Sequence, residues 1–303
     1  MKIIFFGSSQ HVIPIIDALQ NNYDLSLVLT TENPALPAGR PKGDLALQGD
    51  ALQSYPVVKY CVENKIPYLS VSNLSDHNTK YLILNTQSPV AILADFGLII
   101  PQSILNMFPM GIINIHPSLL PKYRGPTPVQ TAILNGEKIT GVTIIKLDEE
   151  VDHGPILGQE KEKILPTDTA ETLYKRLFEK GANLLIKLLP DYLNTKLKPF
   201  PQNHKNSTFT EHLIRQDGFI DLSSSSLKID PSTALRIKLK IRAYHPWPGV
   251  WTNIMINDKG LRIKLLPENK IQVEGKKPMG YKDFLNGYPQ LKQQLEKLLK
   301  QLA

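Results

Sequence analysis

Two polar side chains interrupt a β-branched run, Ile112-Ile113-Asn114-Ile115-His116, and stand two residues apart. Residues two apart on a strand project from the same face, so the Asn114 amide and the His116 imidazole are predicted to point together. Pro117 cannot donate to a sheet ladder, so the strand is predicted to end there. Both side chains would then lie at its carboxyl end, where open α/β sheets bind ligands.

The chemistry available to this pair is acyl transfer. An amide offers two N–H donors, and an imidazole exchanges a proton near neutral pH. Aimed at a carbonyl, they can stabilise a developing oxyanion. Asp152 supplies a third function, either by orienting the imidazole or by accepting a proton from the nucleophile. The Asn-x-His spacing alone favours a plainer interpretation, in which two hydrogen-bonded residues end a strand and Asp152 lies in a turn.

A longer string changes that balance: Asn-Ile-His-Pro-Ser-Leu-Leu-Pro-Lys-Tyr-Arg-Gly from Asn114, Thr-Gly-Val-Thr-Ile from Thr140, and Asp152-His-Gly. It resembles the folate-dependent formyltransferases, which move a formyl group from 10-formyltetrahydrofolate to an amine. The resemblance implies catalytic roles for Asn114, His116 and Asp152, with no metal. It also implies that the donor, a consumed cosubstrate, contacts Ser118, Leu119, Leu120, Pro121, Phe96 and Gly97.

The first part of the chain alternates strand and helix patterns, beginning with a buried strand at residues 2–6, a helix at 12–19 and a strand at 25–29. The apolar run at 89–94 is typical of a central parallel strand. We therefore expect an α/β fold: an open, mostly parallel, twisted, Rossmann-like sheet forming a catalytic domain over residues 1–189. The turn after the first strand lacks the Gly-x-Gly-x-x-Gly fingerprint, so no nicotinamide or flavin cofactor is inferred.

Residues 190–208 are predicted to be a linker, and residues 209–303 a second domain ending in a helix. Segments 217–221, 240–249 and 274–279 resemble the second domain of the branch whose acceptor is methionyl-tRNA. That resemblance implies a small OB-like, tRNA-binding β-barrel, shortened here because only a short link separates Leu266 from Gly275. Pro246-Trp247-Pro248 is predicted to be a rigid packing corner.

Charge is unevenly distributed. From Pro201 onward there are 17 Lys and Arg against 9 Asp and Glu, a net charge of +8, whereas residues 1–200 carry −1. Such asymmetry suggests a polyanionic partner for the last third. Within the resemblance, Pro37-Ala38-Gly39-Arg40 matches a loop that reaches the tRNA acceptor end. The tRNA-binding candidates are Arg40, Lys42, Lys238, Lys240 and Arg242.

The chain has no signal-peptide pattern, no membrane-length apolar stretch and a single cysteine, so we expect a cytoplasmic monomer without membrane contact. The resemblance implies formyl transfer to the α-amine of methionyl-initiator tRNA, for translation initiation. Whether His116 or Asp152 moves the proton stays open. The alternatives are a sugar-amine N-formyltransferase acting on a nucleotide sugar and a non-catalytic tRNA-binding protein. A glycinamide ribonucleotide transformylase would explain only residues 1–190, and a formyltetrahydrofolate hydrolase would use water as the acceptor.

Overall fold

The computed structural model describes residues 1–31, 55–222, 230–256 and 259–302. Arg40 and Lys42 lie outside the described residues. The chain divides into two compact units. One comprises Met1–Arg124, Gly141–Glu162 and Lys175–Thr208, and the other comprises Gly125–Thr140, Lys163–Tyr174 and Phe209–Ala303.

The first part of the chain alternates strands and helices. In chain order these are β1 (Lys2–Phe6), α1 (Ile13–Asn22), β2 (Asp24–Thr31), α2 (Pro56–Glu63), β3 (Tyr68–Val71), α3 (His77–Thr86), β4 (Val90–Leu93), α4 (Gln102–Leu105), β5 (Ile112–His116), α5 (Pro128–Leu134), β6 (Ile139–Lys146), β7 (Ile156–Lys163) and α6 (Ala170–Leu193).

Within the described residues, seven of these strands form one sheet in the order β3-β2-β1-β4-β5-β6-β7. The neighbours from β3 to β5 run parallel, and β6 runs antiparallel to β5. The expected mostly parallel α/β sheet is confirmed. All four residues of β4 are buried, because a central parallel strand is covered on both faces.

One core cluster of the first unit gathers the apolar side chains of β1, β2 and β4 with those of the flanking helices. Ile4, Phe6 and Leu29 in this cluster are fully buried. The single cysteine, Cys61, is also fully buried, and burial raises the pKa of its thiol to about 12. Cys61 therefore packs as a small apolar group.

The second unit contains α7 (Pro231–Ala243), β8 (Val250–Ile256), β9 (Lys259–Leu266), β10 (Lys270–Val273), β11 (Met279–Gly280), α8 (Tyr281–Gly287) and α9 (Lys292–Leu302). Across the described residues its sheet has the order β11-β10-β9-β8, and neighbouring strands run antiparallel. A separate small C-terminal sheet is thus confirmed.

Two elements of the second unit differ from the sequence prediction. β10 occupies the segment that we took for a short link after Leu266, because Ile271 and Val273 alternate with polar residues and bury their side chains. α7 was not predicted; Asp230 caps it by accepting a hydrogen bond from the Thr233 backbone N–H. Leu291 and the α9 residues Leu295, Leu298 and Leu302 are buried.

Helix α6 passes through Pro190 and ends at Leu193, beyond residue 189, where the first domain was predicted to end. The predicted linker therefore begins inside this helix. Within the first unit α6 packs closely at Gly181, where an added Cβ would lie 2.7 Å from Ile115 Cγ2 and 3.2 Å from Val142 Cγ2. Ile115 separates Asn114 from His116, so this glycine lets the helix approach the strand that carries both.

We predict that Gly181→Ala lowers the free energy of unfolding by about 0–2 kcal/mol, whereas a glycine-to-alanine change without the close contact would raise it. Alanine favours a helix by about 1 kcal/mol over glycine, but overpacking a close contact costs about 1–3 kcal/mol. Urea unfolding measures the difference. Gly287→Ala is the matched control, because a Cβ there meets nothing within 4 Å. A Gly181→Ala protein as stable as the control would contradict the close approach.

Candidate active site

Asn114 and His116 lie at the carboxyl end of β5 and are almost fully buried, at 6% and 4% exposure. The loop after β6 brings Asp152 to both of them. Asn114 Nδ2 donates to Asp152 Oδ1 over 3.1 Å, and His116 Nδ1 lies 3.4 Å from Asp152 Oδ2. The structure therefore brings the three predicted catalytic residues together; their catalytic role remains a proposal.

The second nitrogen of His116 determines which atom can exchange a proton. Nε2 lies 2.8 Å from the backbone carbonyl of Tyr123. Because a carbonyl oxygen only accepts, Nε2 must carry the proton. In the neutral imidazole Nδ1 then carries the lone pair, and it faces the Asp152 carboxylate. The Asp148–Asp152 loop thus meets the imidazole at the atom where proton transfer is possible.

Asp152 has a backbone φ of 49°, in the left-handed region that side-chain-bearing residues rarely adopt. The loop is tight on its other side as well. A Cβ added to Gly154 would lie 1.9 Å from the Lys146 carbonyl oxygen, so the chain needs glycine there. This conformation turns the carboxylate of Asp152 toward the end of β5.

The Ser118–Pro121 segment, which we expect to contact folate, is anchored to β6 through one buried hydroxyl. Thr143 Oγ1 donates to the Ser118 carbonyl (2.6 Å) and accepts from Leu120 N–H (3.0 Å) and from Gln159 Nε2 (2.9 Å). The Leu120 carbonyl accepts a second bond from Gln159 at 2.7 Å. These bonds fix the shape of the segment.

The four residues of that segment differ in their accessibility. Ser118 is fully buried and its hydroxyl donates to the Lys122 carbonyl, while Leu120 packs in an apolar cluster with Ile145. Leu119 and Pro121 are half-buried. Direct contact with a ligand is therefore open to Leu119 and Pro121, whereas Ser118 and Leu120 shape the backbone between them.

Phe96 and Gly97 follow β4, whose last residue, Leu93, pairs with Asn114. The Phe96 ring packs edge-on against Phe6 with centroids 5.5 Å apart. Gly97 is exposed, and the next exposed apolar side chain, Ile99, has 89% of its surface accessible. This segment leaves the sheet at the carboxyl end of β4, next to the end of β5 that carries Asn114 and His116.

Comparison with known proteins identifies the family. Residues 1–189 match the family model described as formyl transferase. The chain belongs to the formyl transferase family. The methionyl-tRNA formyltransferase of Chloroflexus aurantiacus is 38% identical over 253 residues, which cover 83% of this chain and 76% of that protein. The methionyl-tRNA formyltransferase of Koribacter versatilis is 33% identical over 319 residues, 95% of this chain and 96% of that protein.

Solved structures share the fold at lower identity. A 4-N formyltransferase from Francisella tularensis is 20% identical with a TM-score of 0.62, and it covers 88% of this chain and 98% of its own. A sugar 3N-formyl transferase, solved in the presence of dTDP and 5-N-formyl-THF, is 24% identical with a TM-score of 0.57; the match covers 90% of this chain and 93% of its own. At these identities the likeness shows the fold alone.

The tRNA-binding candidates on α7 have intramolecular partners. Lys240 Nζ lies 3.2 Å from the Asp217 carbonyl, and burial is the largest cause lowering its pKa, ahead of repulsion from Arg236. Arg242 donates to the carbonyls of Asp168 (2.7 Å) and Leu165 (2.8 Å), and burial lowers its pKa. Both side chains therefore stabilise the second unit.

Two further placements bear on the second unit. Lys238, also on α7, is half-buried. Trp247 has 55% of its surface exposed, so the packing corner that we predicted at Pro246-Trp247-Pro248 is wrong for the indole. A flat aromatic surface is accessible there instead.

Sequence reasoning missed Gln202 and Arg124. Gln202 lies in the predicted linker, yet it is buried and donates to the carbonyls of Asp152 and Gly154. Arg124 lies in the Lys-Tyr-Arg-Gly part of the string that carries the resemblance, where it was given no role, and it is 3% exposed. Neither residue has a spacing in the sequence that marks it as part of the site.

His153, the residue after Asp152, contacts a carboxylate and another imidazole. Its Nδ1 lies 2.7 Å from Asp148 Oδ2, and its ring stacks on His204 with centroids 4.0 Å apart. In the portion of the chain that the structure describes, no cluster of His, Cys, Asp and Glu suits a metal ion. Likewise, no helix among those residues has the length and apolar character needed to cross a membrane.

Removing the Thr143 hydroxyl tests the anchoring of the 118–121 segment. We predict that Thr143→Val lowers the free energy of unfolding by about 1–3 kcal/mol, because it leaves buried backbone groups without a partner. Thr143→Ser keeps the hydroxyl and is expected to retain most of that stability. Denaturant unfolding of both proteins decides. Equal stability of the Val and wild-type proteins would show that the hydroxyl does not anchor the segment.

Proposed function

We propose that this protein transfers the formyl group of 10-formyltetrahydrofolate to the α-amine of methionine carried by initiator tRNA. The observation that carries the proposal is the meeting of Asn114, His116 and Asp152 at one strand end. The acceptor is supported by the methionyl-tRNA formyltransferases, one of which aligns over 95% of this chain, including the basic last third.

The site suits a formyl donor in two respects. Leu119 and Pro121 follow the carboxyl end of β5, where Asn114 and His116 lie, and the exposed Gly97 follows the neighbouring strand β4. These residues offer apolar and backbone surface to a flat ring system. The donor supplies the formyl carbon. In the described residues of the candidate site, the remaining chemistry comes from an amide, an imidazole and a carboxylate.

Asn114 is the group that stabilises the oxyanion. Its amide nitrogen carries two N–H groups, and donation of one to Asp152 fixes the orientation of the other. As the amine nitrogen bonds to the formyl carbon, the formyl oxygen gains negative charge. A fixed donor in a site this buried stabilises that charge more than water does.

His116 and Asp152 together move the proton. With Nε2 bonded to the Tyr123 carbonyl, neutral His116 presents a lone pair on Nδ1 to Asp152. Nδ1 and the carboxylate form a hydrogen bond only when one proton lies between them, so the pair accepts the proton that the attacked amine loses. The pair then returns this proton to the folate nitrogen as its bond to the formyl carbon breaks.

The acceptor amine needs little activation. An α-amino group has a pKa of about 8, so a useful fraction of the amine is neutral at pH 7. The protein must chiefly align this nitrogen with the formyl carbon. The basic last third provides positive charge that can bind the phosphate backbone of a tRNA acceptor.

An acceptor competition tests the proposal. Purified protein is mixed with 10-formyltetrahydrofolate and either methionyl-initiator tRNA or amino-sugar nucleotides, and the formylated product is identified by mass. We expect formyl-methionyl-tRNA, and we expect Asn114→Ala to lower its turnover about 100-fold or more, as loss of one oxyanion donor does.

Asn78→Ala, which removes an exposed amide at the start of α3, is the control and is expected to keep wild-type turnover. Formylation of the amino sugar alone would replace the proposed acceptor. Binding of tRNA without transfer would favour the non-catalytic alternative, and release of formate without any amine would indicate a hydrolase. Unchanged turnover in folded Asn114→Ala would remove the oxyanion role.

A further inference from the structure

Gln202 uses every polar atom of its side chain. The residue is 5% exposed. Its Nε2 donates to the carbonyls of Asp152 and Gly154, each over 2.8 Å, and its Oε1 accepts from Arg124 Nη2 over 2.8 Å. A buried amide whose atoms are all engaged has a fixed position, because each lost bond would leave a buried polar group unsatisfied.

The chemistry of the partners determines the orientation of this amide. A guanidinium only donates, so the Gln202 oxygen must face Arg124. Two carbonyls only accept, so the NH₂ group must face Asp152 and Gly154. Rotating the amide by 180° would oppose acceptor to acceptor and donor to donor. Arg124 itself is 3% exposed, and its Nη2 also lies 2.8 Å from His204 Nδ1, so the guanidinium is held in turn.

The carbonyl that Gln202 binds belongs to the residue with the unusual backbone. Asp152 has a φ of 49°, and a non-glycine residue in such a region costs about 1–3 kcal/mol unless its surroundings hold it there. The direction of its carboxylate, and hence the contacts with Asn114 and His116, follows from that backbone conformation. A bond on each side of His153, to residues 152 and 154, restrains this turn.

We propose that Gln202 is a positioning residue that holds Asp152 in its left-handed conformation, and that Arg124 orients Gln202 for this task. The inference rests on the proposed function, because it concerns the carboxylate that takes part in proton transfer. Gln202 acts through the Asp152 backbone and does not touch the reacting atoms. Its removal should therefore slow the chemical step and leave donor binding in place.

Gln202→Glu separates positioning from folding. The carboxylate has nearly the shape of the amide and still accepts from Arg124, but it cannot donate to the two carbonyls and repels them. We expect kcat for formyl transfer to fall about 10- to 100-fold, because a small misplacement of a reacting group has that effect. The KM for the formyl donor should change less than about threefold. The thermal midpoint should fall, because two buried carbonyls lose their donor, but the protein should remain folded at the assay temperature.

Hydrogen exchange supplies a readout that does not depend on activity. Amides of residues 148–155 should exchange faster in Gln202→Glu than in the wild type, with the rest of the first unit unchanged. Asn203→Ala, which removes an exposed amide at the next position, is the matched control and should leave kcat and exchange unchanged. If Gln202→Glu does not fold, Gln202→Asn, whose shorter side chain cannot reach all three partners, is judged by the same measurements.

A kcat within twofold of wild type, or unchanged exchange over residues 148–155, would overturn the positioning role. Faster exchange spread evenly over the first unit, rather than confined to residues 148–155, would also overturn it, because the effect would then be structural. If the wild-type protein transfers no formyl group to methionyl-tRNA, the proposed function fails. The exchange comparison still decides the role of Gln202 in that case.

Discussion

The imidazole of His116 is held at both nitrogens, and the geometry of the site depends on that restraint. The Tyr123 carbonyl requires a proton on Nε2 and so leaves Nδ1 to face Asp152. Tyr123 can be the acceptor because the chain returns sharply after β5: it has a φ of 61°, and its N–H donates to Thr208 Oγ1. The segment that shapes the expected folate contacts thus also selects the tautomer of the neutral imidazole.

The other side of the site depends on backbone geometry as much as on side chains. Asp152, whose carboxylate contacts Asn114 and His116, has a left-handed backbone conformation. Gly154 lies too close to the Lys146 carbonyl for any side chain to fit there. Strain of this kind persists only where the surroundings determine it, and buried polar groups around the turn do so here. The carboxylate is therefore preorganised before a substrate arrives, which reduces the reorganisation needed during reaction.

Much of this arrangement could be predicted from residue types in sequence. Alternating apolar runs gave the parallel strands, and the two-residue spacing placed Asn114 and His116 on one face before Pro117. Asp152 could be grouped with them only through the family resemblance, since 36 residues separate it from His116. The role of Gln202 could not be predicted from the sequence, because a glutamine among Pro, Asn and Lys is typical of a surface linker. Its role comes from tertiary contacts with carbonyls, which have no sequence signature.

The surroundings of the cations in the second unit could not be predicted from the sequence for a related reason. Lys240 and Arg242 were chosen for their charge, but their donors bind backbone carbonyls inside the unit. Charge in a sequence does not tell whether a cation faces solvent or completes a fold. Trp247 shows the reverse, since an aromatic between two prolines suggested packing and the indole is largely exposed.

The most direct test of the central claim is ¹⁵N NMR of His116 in the folded protein across the pH range in which it is stable. The account predicts that Nε2 carries a proton throughout, that Nδ1 alone changes its protonation, and that Asp152→Asn alters the Nδ1 signal while leaving Nε2 protonated. A neutral imidazole with its proton on Nδ1 would contradict the account. Nδ1 would then have no lone pair with which to accept a proton beside Asp152.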